Sequence, residues 1–389
     1  MCDIILHEAP DTECRTRNEA SHKFRLTSGS KLHSPAVFEI PHSELRILHR
    51  CTMLVVMQSH AADSEVARVV EVIKGQGLTP HVMPGATRTA IGVTGNTGAV
   101  DKALFEVLAG VEEAIRVTKP FKLASREMKR DDTTIPFKQG NIGPKTFTVI
   151  AGPCSVENES MILKTAEFLV SKGIKFLRAG AFKPRTSPYA FQGMGVEGLK
   201  ILSKARERTG IAIVTELMDT EFATAVEDAS DIIQIGTRNM QNFSLLKRVG
   251  KCRKPVLLKR GMSATLEDWL MAAEYVMAGG NYQVILCERG VRTFSDHSRN
   301  TLDLGVIPPV KSLSHLPVFV DPSHGTGKRG YVPAMSLASL AAGADGILIE
   351  AHPEPDKAMS DGAQSLDFPG LENLFSRLKE LAPAFGRTM

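Results

Sequence analysis

The sequence has no CxxC pair and no short-range cysteine framework. Its six cysteines, Cys2, Cys14, Cys51, Cys154, Cys252 and Cys287, are scattered over 389 residues. That spacing predicts free thiols rather than disulfides, most of them acting as small buried hydrophobes. Also missing is any window of roughly 18 apolar residues, which excludes a helical membrane span. There is no concentrated basic stripe either: the net charge is +4, with acids interleaved among the bases, which argues against a nucleic-acid-binding face. The N-terminal MCDIILHEAPDTECR carries early acids and lacks an apolar core, so no transit or secretory signal is expected and the chain reads as cytoplasmic.

What is present divides into regions. Residues 1–52 mix charge with Ser and His at no sustained period and are expected to be a poorly ordered extension. Between 53 and 118 the pattern reads as strand (MLVVMQ), helix (Ser64–Lys74), strand (TPHVMP), strand (RTAIGVTG), helix (Val100–Leu108) and strand (VEEAIRV). This order predicts a small α+β ferredoxin-like sandwich, 53–118, without a catalytic set of its own. The polar stretch KPFKLASREMKRDDTTIPFKQGNIGPK, 119–145, is expected to be a linker. From 146 to 389 the runs TVIAGPC, KFLRAG, IAIVTE, DIIQIG, PVLLKR, QVILCER, PVFVDPSH and GILIEAH alternate with amphipathic segments such as Glu159–Ser171, Gly195–Arg208, Leu266–Met277 and Met335–Ala342. Runs without polar alternation imply strands buried on both faces and paired in parallel. Eight such β/α units predict a (β/α)8 TIM barrel; a doubly wound open sheet is the alternative, but no GxGxxG follows the first strand.

In such a barrel the chemistry sits at the carboxyl ends of the strands. Those positions hold Cys154; Arg178, then Lys183 and Arg185; Glu216; Arg238; Lys259 and Arg260; Glu288 and Arg289; Asp321 and His324; and Glu350 and His352. Arg178, Lys183, Arg185, Arg238, Lys259 and Arg289 form a cationic ring suited to a small ligand with phosphate and carboxylate groups. Pro184 and Pro188 stiffen the loop that offers Lys183 and Arg185. Cys154, His324, Glu350 and Asp361 come from strands, or loops after strands, that neighbour one another once the barrel closes. One thiolate, one imidazole and two carboxylates suit a divalent transition metal of intermediate softness. The bland alternative leaves Cys154 in the core, His324 capping a turn and the acids solvated.

The motifs AGPCSVE (151–157), RAGAFKPRTSPYAFQG (178–193), QIGTRNMQNF (234–243), PVLLKRG (255–261), LCERGVRTF (286–294), DPSHGTGKR (321–329), EAHPEP (350–355) and SDGAQSL (360–366) together resemble the 3-deoxy-D-arabino-heptulosonate 7-phosphate (DAHP) synthase family, in its short microbial type with an N-terminal ferredoxin-like regulatory domain. The resemblance is dense over 147–368 and looser over 53–118. It implies that Cys154, His324, Glu350 and Asp361 ligate one divalent ion (Mn, Fe, Zn, Co or similar). It further implies that Arg178, Lys183, Arg238, Lys259 and Arg289, with Thr237 and Glu216 beside them, meet phosphoenolpyruvate, and that Pro184, Arg185, Thr186 and Ser187 meet erythrose 4-phosphate. The implied reaction joins these substrates with water and releases phosphate at the start of the shikimate pathway to aromatic amino acids. Implied too are inhibition by Phe or Tyr through the sandwich and a homo-oligomer, a tetramer. Lys183 is the expected proton donor, with His324 and Glu350 as further catalytic groups. Competing readings are a condensation with arabinose 5-phosphate, whose family carries KANRS where this chain has KPRTS, a Schiff-base aldolase using Lys259 or Lys183, and a non-enzymatic metabolite sensor.

Overall fold

Apolar runs without polar alternation organise both halves of the chain. The computed structural model describes residues 52–84, 88–95, 100–117, 120–184, 187 and 189–389; residues 1–51 of the expected extension lie outside them. Strands β1 (Thr52–Met57), β2 (Thr79–Pro84), β3 (Thr89–Thr94) and β4 (Val111–Val117) form an antiparallel sheet in the order β2-β3-β1-β4. Two helices, α1 (Asp63–Gly75) and α2 (Ala103–Glu106), complete the ferredoxin-like pattern. Met53, Val55 and Met57 pack on the helical side with Val69, Ile73 and Phe105. Leu54 and Val56 face the other way, into a cluster with Leu123 and Met128. Burial on both faces explains why MLVVM shows no alternation. The bare backbone at Gly92 admits Met128, whose Cε occupies the space a Cβ would need. Helix α2 is a single turn, shorter than the expected Val100–Leu108. Asp101 Oδ1 accepts from Ala103 N (3.1 Å), and Gly110, at φ +77°, turns the chain into β4.

The segment expected as a linker is packed rather than solvated. Phe121, Leu123, Met128, Ile135 and Ile142 are all buried. Glu274 receives the Leu123 and Ala124 amides at 2.9 and 3.0 Å. Ile135 and Ile142 exchange backbone hydrogen bonds at 2.8 and 2.9 Å and join the residues lining the barrel interior, Ile150, Phe176, Ala212, Val214 and Phe319 among them. Phe137 meets Phe176 edge-on at 5.2 Å. This hairpin therefore closes the end of the barrel where Phe176 and Ala212 begin their strands, leaving the opposite mouth open.

A buried histidine fastens the same segment. His315 faces Thr133 Oγ1 at 2.8 Å and the Leu123 carbonyl at 2.7 Å. Burial, assisted by Lys129 and Arg126, lowers its pKa to about 4. A native pKa below the unfolded value of about 6.5 means that the unfolded chain takes up the proton first. The stabilisation is complete above pH 6.5 and falls by about 3 kcal/mol as the pH drops toward 4. The urea midpoint is expected to fall between pH 7 and 4.5, and to fall less in His315→Gln. An equal fall in both proteins would count against the assignment.

The eight predicted runs form β5 (Thr148–Gly152), β6 (Phe176–Arg178), β7 (Ala212–Leu217), β8 (Ile232–Ile235), β9 (Val256–Lys259), β10 (Val284–Glu288), β11 (Val318–Val320) and β12 (Gly346–Glu350). All pair in parallel and close through β12–β5 and β9–β10. Helices such as Glu159–Lys172, Gly195–Thr209, Leu266–Ala278, Val332–Ala341 and Phe368–Leu381 cover the outside. This is a TIM barrel preceded by a ferredoxin-like sheet. Among the described residues no helix is long and apolar enough to cross a membrane.

Candidate metal and substrate site

The barrel brings four donor side chains to one side of its open mouth. Gly152 ends β5 at φ +146°, where a Cβ would collide with the Arg178 carbonyl. Only glycine lets β5 and β6 approach so closely and turn Cys154 inward. Glu350 is the last residue of β12, in register with Gly152; its amide donates to Ser323 Oγ (3.0 Å). His324 lies on the short helix Pro322–Thr326, capped by Asp321, which accepts from His324 N at 2.9 Å. Asp361 has φ +52° and is the one non-glycine in the left-handed region among the described residues. Such a conformation is held by its surroundings: Arg299 Nη1 donates to Asp361 Oδ1 (3.2 Å) and Arg329 Nη2 to the Gly362 carbonyl (3.1 Å).

The candidate ligand atoms of Cys154, His324, Glu350 and Asp361 lie within 4.8 Å of one another, the only such group among the described residues. Cys154 Sγ is 3.1 Å from Asp361 Oδ2, and His324 Nε2 is 3.3 Å from Glu350 Oε1. Lys183 Nζ and Ser360 Oγ donate to the sulfur at 3.0 and 3.1 Å. Arg178 Nη1 and Gln364 Nε2 each donate to Glu350 at 2.6 Å.

Burial, then Glu350, pushes the Cys154 thiol up to about 11, against the pull of Lys183 and Arg178. Burial would also raise both carboxyls, but His324 with Arg178 holds Glu350 below its ordinary value, and His324, the Cys154 hydrogen bond and Arg299 bring Asp361 to about 2. Burial lowers His324 despite the neighbouring Asp321 and Glu350. At neutral pH the cluster is thus a neutral imidazole, two carboxylates and a thiol. A divalent ion would remove the thiol proton, since a coordinated sulfur is a thiolate. One sulfur, one nitrogen and two oxygen donors fit a divalent transition metal.

Beside this cluster lies a cavity of about 350 Å³. Arg178, Lys183, Arg238, Lys259 and Arg289 line it, with Pro184, Glu216, Thr237, His324 and Asp361. Glu216 accepts from Gln234 Nε2 (3.0 Å), and a Cβ at Gly236 would strike its carboxylate. Ser187 is exposed and off the cavity wall, accepting from Tyr189 N at 3.3 Å. Arg185, Thr186 and Pro188 lie outside the described residues. Arg260, Glu288, Asp321, Glu350 and His352, also at strand ends, do not line the cavity: Arg260 pairs with Glu288 (3.0 Å) and Asp303 (2.9 Å). His352 instead lies 3.4 Å from Glu157. The strand-end rule missed Arg292, Arg299 and Asn300, which line the cavity from the loop after β10, as well as Gln234 within β8. The signal available for the loop residues was its length, with two arginines and no apolar period.

The description "DAHP synthetase I family" matches residues 127–385, and "DAHP synthase ferredoxin-like domain" matches 53–119. The phospho-2-dehydro-3-deoxyheptonate aldolase of Thermotoga maritima is 48% identical over 334 residues, covering 86% of this chain and 99% of its own. A crystal structure of that protein, also called DAHP synthase, superposes with a TM-score of 0.69 at 47% identity, over 87% of this chain and 99% of the other. A 2-dehydro-3-deoxyphosphooctonate aldolase of Syntrophobacter fumaroxidans is 33% identical over 258 residues, 62% of this chain and 88% of its own.

Proposed function

The chain belongs to the DAHP synthetase I family, and from that premise we propose that it condenses phosphoenolpyruvate with D-erythrose 4-phosphate and water to give DAHP and inorganic phosphate, the first step of the shikimate pathway. The observation that carries this reading is the adjacency of the four-donor cluster to a cavity walled by cationic side chains. Cys154, His324, Glu350 and Asp361 would hold one divalent ion, such as Mn, Fe, Zn or Co. When bound, such an ion supplies Lewis acidity toward the sugar's aldehyde oxygen.

The protein's own residues do the rest. Arg178, Arg238, Lys259 and Arg289 receive the phosphate and carboxylate of phosphoenolpyruvate and offset charge as it builds up. Pro184, Arg185, Thr186 and Ser187 form the stretch assigned to erythrose 4-phosphate. C3 of phosphoenolpyruvate attacks the aldehyde carbon, and Lys183 gives the former carbonyl oxygen its proton. Water adds at C2 and loses a proton, and the C2–O bond to phosphate then breaks as the new C2 hydroxyl becomes the ketone and gives its proton to the leaving phosphate. His324 and Glu350 border the same proton path. Glu216 stands beside the phosphoenolpyruvate groups, where a carboxylate can orient water.

The test is phosphate release with each sugar, with and without chelator. Release with erythrose 4-phosphate and none above background with arabinose 5-phosphate is expected; the reverse would assign the chain to the octulosonate reaction. Turnover indifferent to chelator, with substrate trapped by borohydride, would favour a Schiff-base lysine. Feedback inhibition by Phe or Tyr is assigned to the ferredoxin-like domain, none of whose described residues lines the cavity wall. Adding either amino acid to the same assay, to the intact chain and to one lacking residues 1–118, tests that assignment.

A further inference from the structure

Asp321 makes contacts that neither the strand-end pattern nor the reaction scheme uses. It is fully buried after β11, and its amide donates to the Glu288 carbonyl of β10 at 2.7 Å. Its Oδ1 accepts from His324 N (2.9 Å), and its Oδ2 accepts from His324 Nδ1 (2.8 Å). The same Oδ2 also receives Lys259 Nζ, from β9 on the far side of β10. One carboxylate oxygen therefore serves a member of the donor cluster and a member of the anion cavity at once.

We propose that Asp321 is a positioning residue that couples the cation-binding cluster to the anion cavity, so that a divalent cation and an anionic substrate each favour binding of the other. The proposal rests on the reading that the four donors hold a divalent ion. Both ring nitrogens face carboxylates, Nδ1 the nearer at 2.8 Å against 3.3 Å for Nε2, so the imidazole proton is placed on Nδ1 and the Nε2 lone pair is left toward Glu350 and the cluster. A cation that draws on Nε2 makes Nδ1–H a stronger donor to Oδ2 and loosens the hold on Lys259, whose charge then serves the incoming anion. An anion that attracts Lys259 leaves Oδ2 freer for His324. The two effects are one coupling seen from either site, and such coupling is reciprocal. An asparagine keeps the size of the group but offers one neutral oxygen in place of the two charged ones that now receive three donors.

The test uses binding to the cation-stripped full chain, not turnover. Mn2+ affinity is measured without substrate by electron paramagnetic resonance, phosphoenolpyruvate affinity without cation by calorimetry, and Mn2+ affinity again with phosphoenolpyruvate present. Asp321→Asn is expected to weaken Mn2+ binding by about ten- to a hundredfold, to weaken phosphoenolpyruvate binding, and to shrink the gain each ligand gives the other. A purely structural role predicts a lower Tm with both affinities within about twofold, and that result would overturn the coupling. Should Asp321→Asn not fold, the 15N spectrum of the wild-type histidines decides, with the His324 signals identified by their loss in His324→Gln. Protonation of His324 at Nδ1 is required, and the Nε2–H form would refute the proposal. A wild-type protein that binds no Mn2+ sinks this inference and the metal reading together, whereas tight wild-type binding with an unaffected variant sinks the inference alone.

Discussion

Stripping the protein with EDTA is expected to abolish phosphate release from phosphoenolpyruvate and erythrose 4-phosphate, and stoichiometric Mn2+ or Zn2+ to restore it. Lewis-acid stabilisation is worth several kcal/mol, so the loss should be on the order of a thousandfold. The fold should survive, because the cluster is held without an ion. Arg178 and Gln364 secure Glu350, Arg299 holds Asp361, and Asp321 holds His324. Cys154→Ala removes the one soft donor while emptying little space, and its activity should not return with stoichiometric metal. The thiol sits at about 11 in the cation-free protein, so binding must displace its proton, and apparent affinity should rise by about tenfold per pH unit from pH 6 to 8. Undiminished product formation by Cys154→Ala in demetallated buffer would remove the metal from the reaction.

The barrel was legible because its strands are buried on both faces. Even β6, only Phe176–Arg178, and β11, only Val318–Val320, stood out as apolar runs ending in charge. The same logic points to the cavity: the last residue of a parallel strand lies at the mouth, so Arg178 and Lys259, which end β6 and β9, were marked by position, and Glu216 stands one residue before the end of β7. Position alone could not separate Arg289, which enters the cavity, from Arg260, which turns to Glu288 and Asp303 under the Trp269 helix. Nor could it find Arg292 and Arg299, since a loop has no period to mark which side chains face inward. The stretch 120–145 was hidden for a related reason. Phe121, Leu123, Met128, Ile135 and Ile142 fall at no regular spacing, so nothing local reveals that they are buried. Their partners, Glu274, His315 and the barrel floor, are distant in sequence.

Lys183→Met should lower kcat on the order of a thousandfold, within the range spanned by proton transfer from a positioned side chain, while the protein keeps its divalent ion. Lys183 has no surface role to lose: its ammonium is buried and 3.0 Å from Cys154 Sγ. The site is built around it. A Cβ at Gly180 would lie 2.8 Å from Nζ, so the glycine of RAGAF keeps open the space the ammonium occupies. In the cation-free protein Lys183 favours the thiolate of Cys154; in the proposed mechanism a bound cation would take over that work, and the ammonium would serve as the donor to the reacting carbonyl. Removing it should therefore leave metal content near one ion per chain, which separates this variant from Cys154→Ala, where content and turnover fall together. Lys183→Arg keeps the positive charge but will not give up a proton near neutral pH, so it should recover phosphoenolpyruvate affinity without recovering kcat. If Lys183→Arg instead turned over like the wild type, the residue would be holding substrate charge only, and the proton would have to come from His324 or from water.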